Sequence, residues 1–497
     1  MEMKKYLLFL FLLPLLFSCT DNTTEKETVN GIMIDCSRLL ERHDHYYRLV
    51  DFMADWDMNT LVLHFSDDHG LSVALPGFEK LAHEYAFTPQ EIRRLIFYAA
   101  EKGIEIIPEL EVFGHTRYIT DHPDFRHLYI GEWSEELSFN AVDPLHPGTV
   151  ELFREMIGEV ARLFPSAYLH LGCDEVDLSP LGLENARAEA RVWADYVNTM
   201  IGIVHEEGKT PVIWNDHLNR NREIARMLRK DVVLMEWNYD PEYQPRNLEF
   251  LRGLGYERII MAPSLACYRL RVLPSRPALM NTEAHAEVLR QGGATGLVNT
   301  IWLPQRFLQD AMWYGIAYSA YLVNSGEPMD TTDFHRHFAR KVFGRRLTPA
   351  LNGYLKKWPD LHLHRRFYIS LAQGKTDHSD DPEAMRELRE LHRLSEDLLP
   401  GVPDLRPRRN EEILSSMYLA ARVMNVLSEG LLIAGGDEDL RKRENEWRRE
   451  LRNVIEDAEK SWDRGRFPDD PAKYRPKFPN LKHSHLLIML KELDKEV

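Results

Sequence analysis

Tyr168-Leu169-His170-Leu171-Gly172-Cys173-Asp174-Glu175-Val176 is an apolar run that ends in two adjacent carboxylates. A strand buried on both faces reads as a short apolar run bounded by turn signals. If that strand belongs to an α/β barrel, side chains at its carboxyl end face the active site. Neighbouring side chains there point in different directions, so Asp174 and Glu175 need not share one task. One can hold a substrate while the other moves a proton. The plain alternative is a strand end followed by an acidic helix N-cap, a position aspartate suits.

Seven further segments of the same texture decide between these readings. Gly31–Asp35, Thr60–Phe65 and Ile104–Pro108 precede the fourth run, Ala167–Gly172. Thr210–Trp214, Val232–Met235, Arg258–Met261 and Gly296–Trp302 follow it. Helical patterns lie between them, such as Pro89–Lys102, with Thr88 as N-cap, and Gly148–Leu163. Eight β/α units over roughly 250 residues predict an α/β fold, a (β/α)8 TIM barrel. An open doubly wound sheet is the alternative, but no Gly-rich phosphate loop follows the first strand. After Pro328 strand-like runs cease. Asp380–Leu398 and Asn410–Ile433 carry apolar residues at helical spacing, which predicts an α-helical C-terminal region. The charge-dense stretch Glu438–Lys460 reads as a solvated helix. There are no repeats or low-complexity tracts.

The chain has 497 residues, 44% of them apolar, enough for a large core and two domains. Its net charge of −16 excludes a basic nucleic-acid surface and suits an enzyme with neutral substrates. At the N-terminus, Lys4 and Lys5 precede the apolar run Tyr6 to Phe17, which is followed by Ser18-Cys19. This is the pattern of a signal peptide, and the run is short of the ~20 apolar residues that span a membrane. Leu16-Phe17-Ser18-Cys19 resembles a bacterial lipoprotein signal, which implies a lipid on Cys19, a tether to residue 29, and a place in the cell envelope on the membrane. An ordinary cleaved signal is the alternative. The division is then 1–18 leader, 19–29 tether, 30–328 barrel and 329–497 helical domain. Cys36, Cys173 and Cys267 show no metal or disulfide spacing and read as buried packing. No metal or cofactor is expected.

Polar and aromatic residues collect at the carboxyl ends of the eight strands. Strand two ends in Ser66-Asp67-Asp68-His69-Gly70, and strand three runs into Glu109-Leu110-Glu111-Val112-Phe113-Gly114-His115. Strand four gives Asp174 and Glu175, strand five Trp214, strand six Glu236-Trp237, strand seven Tyr268 and strand eight Trp302. Aromatic walls suit the apolar faces of a sugar ring, and carboxylates suit its hydroxyls and glycosidic oxygen. Singly, each tryptophan reads as packing and each histidine as a satisfied polar group. Together on one rim they point to a glycan site.

His170-Leu171-Gly172-Cys173-Asp174-Glu175 resembles the His-x-Gly-x-Asp-Glu signature of glycoside hydrolase family 20, the β-N-acetylhexosaminidases. Pro108 to His115 resembles that family's strand-three motif, and Ser66-Asp67-Asp68 its strand-two motif. The wording is most similar to the hexosaminidase D branch. The resemblance covers Gly31 to Asn324 and implies exo-acting, retaining hydrolysis of terminal β-linked N-acetylhexosamine, assisted by the substrate's own acetamido oxygen. It implies Glu175 as general acid and base with a raised pKa, and Asp174 as partner of the acetamido N–H. It further implies Tyr268 on the acetamido oxygen, Trp214, Trp237 and Trp302 around the sugar, and His115 with Asp67 as a relay to the acid. Asp68 and Glu111 are weaker candidates. The family's distal sugar contacts fall on Asn30, Leu270 and Pro304, which depart from its pattern, so gluco or galacto preference is left open. Arg38, Arg117, Arg269 and Arg306 are candidate substitutes. Two other readings stand beside this one: a retaining glycosidase with Glu236 as nucleophile, and a non-catalytic glycan-binding lipoprotein. The C-terminal region is read as a pocket wall, a homodimer contact or a brace for the barrel.

Overall fold

The computed structural model describes residues 28–134, 140–245, 247–267, 272–402, 405–467 and 485–496. Cys19 with its leader and most of the tether, and Tyr268, Arg269 and Leu270, lie outside the described residues.

Eight parallel strands form a closed barrel: β1 (Val29–Asp35), β2 (Thr60–His64), β3 (Glu105–Glu109), β4 (Tyr168–His170), β5 (Thr210–Trp214), β6 (Val233–Trp237), β7 (Ile259–Ala262) and β8 (Gly296–Ile301). Each pairs with the next, and β8 pairs back with β1 in the register Gly31 to Val298. Inward-facing Met33, Val62, Ile107, Val212, Val233, Met235, Ile260 and Val298 fill the lumen. The alternate residues, such as Ile32, Ile34, Leu61 and Leu63, pack outward beneath the helices. Burial on both faces is why the strands read as unbroken apolar runs rather than alternating ones.

The helices follow from local signals. Pro89–Glu101 starts in a capping box: Thr88 accepts from the Glu91 N–H (3.3 Å), and Glu91 accepts from the Thr88 N–H (2.9 Å). Thr88→Ala is expected to destabilise the protein by about 1 kcal/mol, read as a lower midpoint in urea with an unchanged slope.

Two features depart from the sequence reading. Strand two stops at His64, and Ser66–Asp67 instead begins a small flap, antiparallel to Gly70–Val73, which pairs with Ala82–Phe87. The stretch read as a solvated helix is Glu438–Arg441 followed by Glu444–Gly465, and the latter buries Trp447, Leu451, Val454 and Ala458 along one face. That spacing of four, three and four is the apolar stripe that the dense charges obscured.

The C-terminal region is helical and centred on Glu411–Ala434. This helix is long and apolar enough to cross a membrane, yet it lies buried among its neighbours as a core element. The region braces the barrel at the site's edge. Arg466, just past Glu444–Gly465, pairs with buried Glu41 (3.2 Å) and donates to the Pro304 carbonyl (3.1 Å). Those contacts grip the segments that follow β1 and β8.

Candidate active site

The turn after β4 is not a helix cap. The next long helix is Ala186–Glu206, and its cap is Asn185. Instead the turn is strained: Gly172, Cys173 and Glu175 have φ of 65°, 75° and 50°. His115 (49°) and Leu303 (60°) share the left-handed region, so three of the seven such non-glycine residues among the described ones, His115, Glu175 and Leu303, line one cavity. Strain held at that cost collects at functional sites. Neighbouring elements hold the turn in place. The Glu175 N–H donates to Asp216 (3.3 Å), and the Val176 N–H donates to His217 Nε2 (2.9 Å). A Cβ on Gly172 would meet Glu111 at 1.8 Å, and one on Gly114 would meet the Asp174 carbonyl oxygen at 2.2 Å. Gly114→Ala is therefore expected to lower kcat/KM by roughly 10²-fold, the cost of an ångström-scale misplacement, with an unchanged far-UV circular dichroism spectrum.

The cavity at the carboxyl end of the barrel measures about 270 Å³. Its walls include Trp214, Trp237, Trp302 and Tyr239, and its polar edge includes Asp174, Glu175, His115 and Arg38. All of these come from the barrel; none comes from the helical region. Trp302 Nε1 donates to the Tyr239 hydroxyl (2.7 Å), which locks two walls together. Arg38 lies over the Trp302 ring at 5.2 Å.

Beneath the floor runs a buried chain of alternating charge. Arg38 pairs with Asp35 (2.9 Å) and Asp67 (2.8 Å), and His64 bridges Asp67 (3.3 Å) and Glu109 (3.0 Å). Glu109 accepts from Trp214 Nε1 at 2.7 Å. Burial opposes the charges on His64 and Glu109, but Glu109 and Asp67 hold His64 well above its ordinary value, and His170, His64 and Trp214 together hold Glu109 below its own. This chain fixes the orientation of Trp214 and, through Arg38, the setting of Trp302.

His115 stands between the two acids. Its Nε2 is 3.5 Å from Glu175 and 3.7 Å from Asp174, and its Nδ1 is 3.1 Å from Asp68 and 3.6 Å from Asp67. Asp68 is thus its closer partner, whereas Asp67 is committed to Arg38, His64 and His69. Burial disfavours charge on His115, but Asp174, Asp68, Glu175 and Asp67 together hold it well above the ordinary range. The consequence reverses the expectation for the acids. The contact with charged His115 lowers Glu175, whose side chain is 52% exposed. Burial raises Asp174 to about 7, with Asp216, Glu175 and Glu109 adding to it and His115 opposing. Asp174 Oδ1 is buried and has no hydrogen-bond partner.

The other candidates separate. Glu111 is buried under Gly172, outside the cavity, and its carboxyl is pushed well up by burial and by the charges of Asp174 and Glu109. Glu236 is also off the cavity wall, accepting from Asn215, Asn219 (2.9 Å) and Tyr243 (3.0 Å). Arg117 is buried with Asp121, and its backbone N–H donates to Asp68 (3.1 Å), so it orients the relay rather than the sugar side. Arg306 is not among the residues that line the cavity. Burial lowers it, Tyr368 opposing and Arg38 adding. Asn30 donates to Asn324 (2.8 Å) at the far end of the barrel.

Residues 29–276 match the family described as glycosyl hydrolase family 20, catalytic domain. The barrel belongs to glycosyl hydrolase family 20. A β-hexosaminidase of Vibrio furnissii is 30% identical over 176 residues, 29% of this chain and 28% of that protein. A β-hexosaminidase of Akkermansia muciniphila is 28% identical over 274 residues, 48% of this chain and 52% of that protein. The chain thus spans about half of that family 20 relative, or less of the first. The X-ray structure of Flavobacterium johnsoniae chitobiase shares the fold, with a TM-score of 0.50 at 16% identity over 93% of this chain and 78% of that one.

Tyr239 was not legible as a site residue, because it sits in the turn-like Tyr239-Asp240-Pro241 segment past β6. The sequence shows Glu109 and Asp35 as strand-end acids but carries no local sign of the partners they reach, Trp214 and Arg38.

Proposed function

We propose that this family 20 chain is an exo-acting, retaining β-N-acetylhexosaminidase that works by substrate assistance. The observation that carries the reading is the orphaned, buried Asp174 Oδ1 beside an aromatic-walled cavity. A buried acceptor without a donor is costly, and an acetamido N–H supplies that donor. Asp174 then orients the acetamido group and stabilises the positive charge that grows as its oxygen attacks the anomeric carbon. Glu175 protonates the leaving oxygen and afterwards takes a proton from the attacking water. His115 supports both acids through Asp68. Trp214, Trp237 and Trp302, with Tyr239, enclose the sugar and its acetamido methyl, and Tyr268 is the proposed donor to the acetamido oxygen. Of the four arginines weighed as substitutes for the missing distal contacts, Arg38 is the described one at the cavity wall, so it is our candidate for reading distal hydroxyls.

The motif wording supports placement in the hexosaminidase D-like branch, and the Ser18-Cys19 pattern supports a lipid-anchored enzyme of the bacterial cell envelope acting on glycans. Purified protein assayed with aryl β-N-acetylglucosaminide, β-N-acetylgalactosaminide and β-glucoside is expected to hydrolyse the acetamido sugars alone. Turnover of the glucoside contradicts substrate assistance and favours a protein nucleophile such as Glu236. Hydrolysis of none of the three favours the glycan-binding reading.

A further inference from the structure

A groove of about 1060 Å³ in the helical region is lined by Arg336, Arg340, Arg345, Arg346, Arg406 and Arg408. Arg336 and Arg340 lie one turn apart on helix Thr331–Lys341. The two contributing segments are knitted together: Arg345 donates to the Arg406 carbonyl (2.6 Å), the Arg408 N–H to Phe343 (3.0 Å), and Arg409 to the Arg340 carbonyl (3.1 Å). Arg336 pairs with Asp333, but Arg340, Arg346, Arg406 and Arg408 have no ion pair among the described residues. In a chain of net charge −16, so many unneutralised cations in one groove call for an anion. The guanidinium fork matches phosphate oxygens in a bidentate fashion.

Position narrows the source of that anion. Lys341, next to Arg340, donates to the Asp55 carbonyl (2.5 Å) and pairs with Asp57 (3.5 Å), in the turn that leads into β2. Asn59 in that turn donates to the Thr28 carbonyl (3.0 Å), just before β1 begins. The groove therefore adjoins the face where strands start, opposite the cavity at their carboxyl ends. A chain extends at most about 3.6 Å per residue, so a group on Cys19 stays within roughly 30 Å of Thr28.

We propose that the arginine groove docks phosphate-bearing headgroups of an anionic membrane, seating the barrel's strand-start face on the lipid and turning the cavity outward. This orientation rests on the proposed lipid on Cys19, to which the basic groove adds an electrostatic attraction for an anionic surface.

The test is flotation of the full chain with vesicles of equimolar phosphatidylglycerol and phosphatidylcholine, against phosphatidylcholine alone. Wild type is expected to prefer the anionic vesicles, and added salt is expected to weaken this. Arg346→Ala with Arg408→Ala is expected to weaken anionic partition by about 30-fold, the effect of withdrawing two basic side chains from an anionic surface. The paired lysine substitutions keep the charge but lose the fork, so they should retain the preference for anionic vesicles at reduced strength. Hydrolysis of a soluble aryl substrate should not change in any variant, which keeps this result separate from the assignment of the activity. The apolar leader is common to all variants and cancels. Equal partition of wild type and the alanine variant overturns the proposal. Retention on dextran sulfate without preference for anionic vesicles also overturns it, assigning the groove to an anionic polysaccharide.

Discussion

Glu175→Gln lowers kcat on an aryl β-N-acetylhexosaminide by at least ~100-fold, the ordinary worth of a positioned general acid. Glutamine keeps the shape and the acceptor oxygen near His115 but cannot yield a proton. The side chain is 52% exposed, and Asp68 and Asp174 still flank buried His115, so stability should stay within about 0.5 kcal/mol of wild type. A substrate with a highly acidic phenol leaving group needs less protonation, so the deficit should shrink on it. An equal deficit on all leaving groups contradicts the acid role and points to a lost binding contact.

Asp174→Asn has a comparable effect by a different route. It removes the negative charge that faces the acetamido group as that group becomes cationic, a loss of ~10²- to 10³-fold in kcat. The pH profile distinguishes it further. The productive form has its proton on Glu175 and none on Asp174, yet burial raises Asp174 to about 7 while His115 lowers Glu175. The resting proton therefore sits on the wrong acid, and the pair titrates as a unit. For wild type, kcat/KM should fall above about pH 7, where the pair loses its last proton. In Asp174→Asn only Glu175 can hold the proton, so the alkaline limb should move to lower pH. A limb that stays near 7 contradicts the assignment.

The same residue makes a stability prediction. Its folded value lies above its unfolded one, so ionised Asp174 destabilises the native state as pH rises through the interval between them. Asp174→Asn should raise the melting temperature at pH 8, and the gain should vanish below about pH 4, where Asp174 is protonated in both states. A variant that is slower yet more stable shows that the wild-type acid is kept for chemistry.

The barrel was legible because each strand is buried on both faces and is bounded by turn residues, so no strand end differs from its expected place by more than two residues. The flap was not, because a two-residue strand such as Ser66–Asp67 has no periodicity of its own. At the site, Asp174, Glu175, His115 and the three tryptophans were visible as strand-end residues. Their electrostatic order was not, because it depends on His115 Nε2 lying 3.5 Å from one acid and 3.7 Å from the other. The Asp68 contact was hidden for a similar reason. The choice between neighbouring aspartates is set by the flap, which also turns Asp67 toward Arg38.

The most direct measurement of substrate assistance is inhibition by the thiazoline of N-acetylglucosamine, a stable mimic of the oxazolinium-like intermediate. Competitive inhibition at least ~100-fold tighter than by N-acetylglucosamine itself is expected, as for other intermediate-like ligands. Binding no tighter than the free sugar, by an enzyme that still hydrolyses the aryl substrate, would contradict the mechanism.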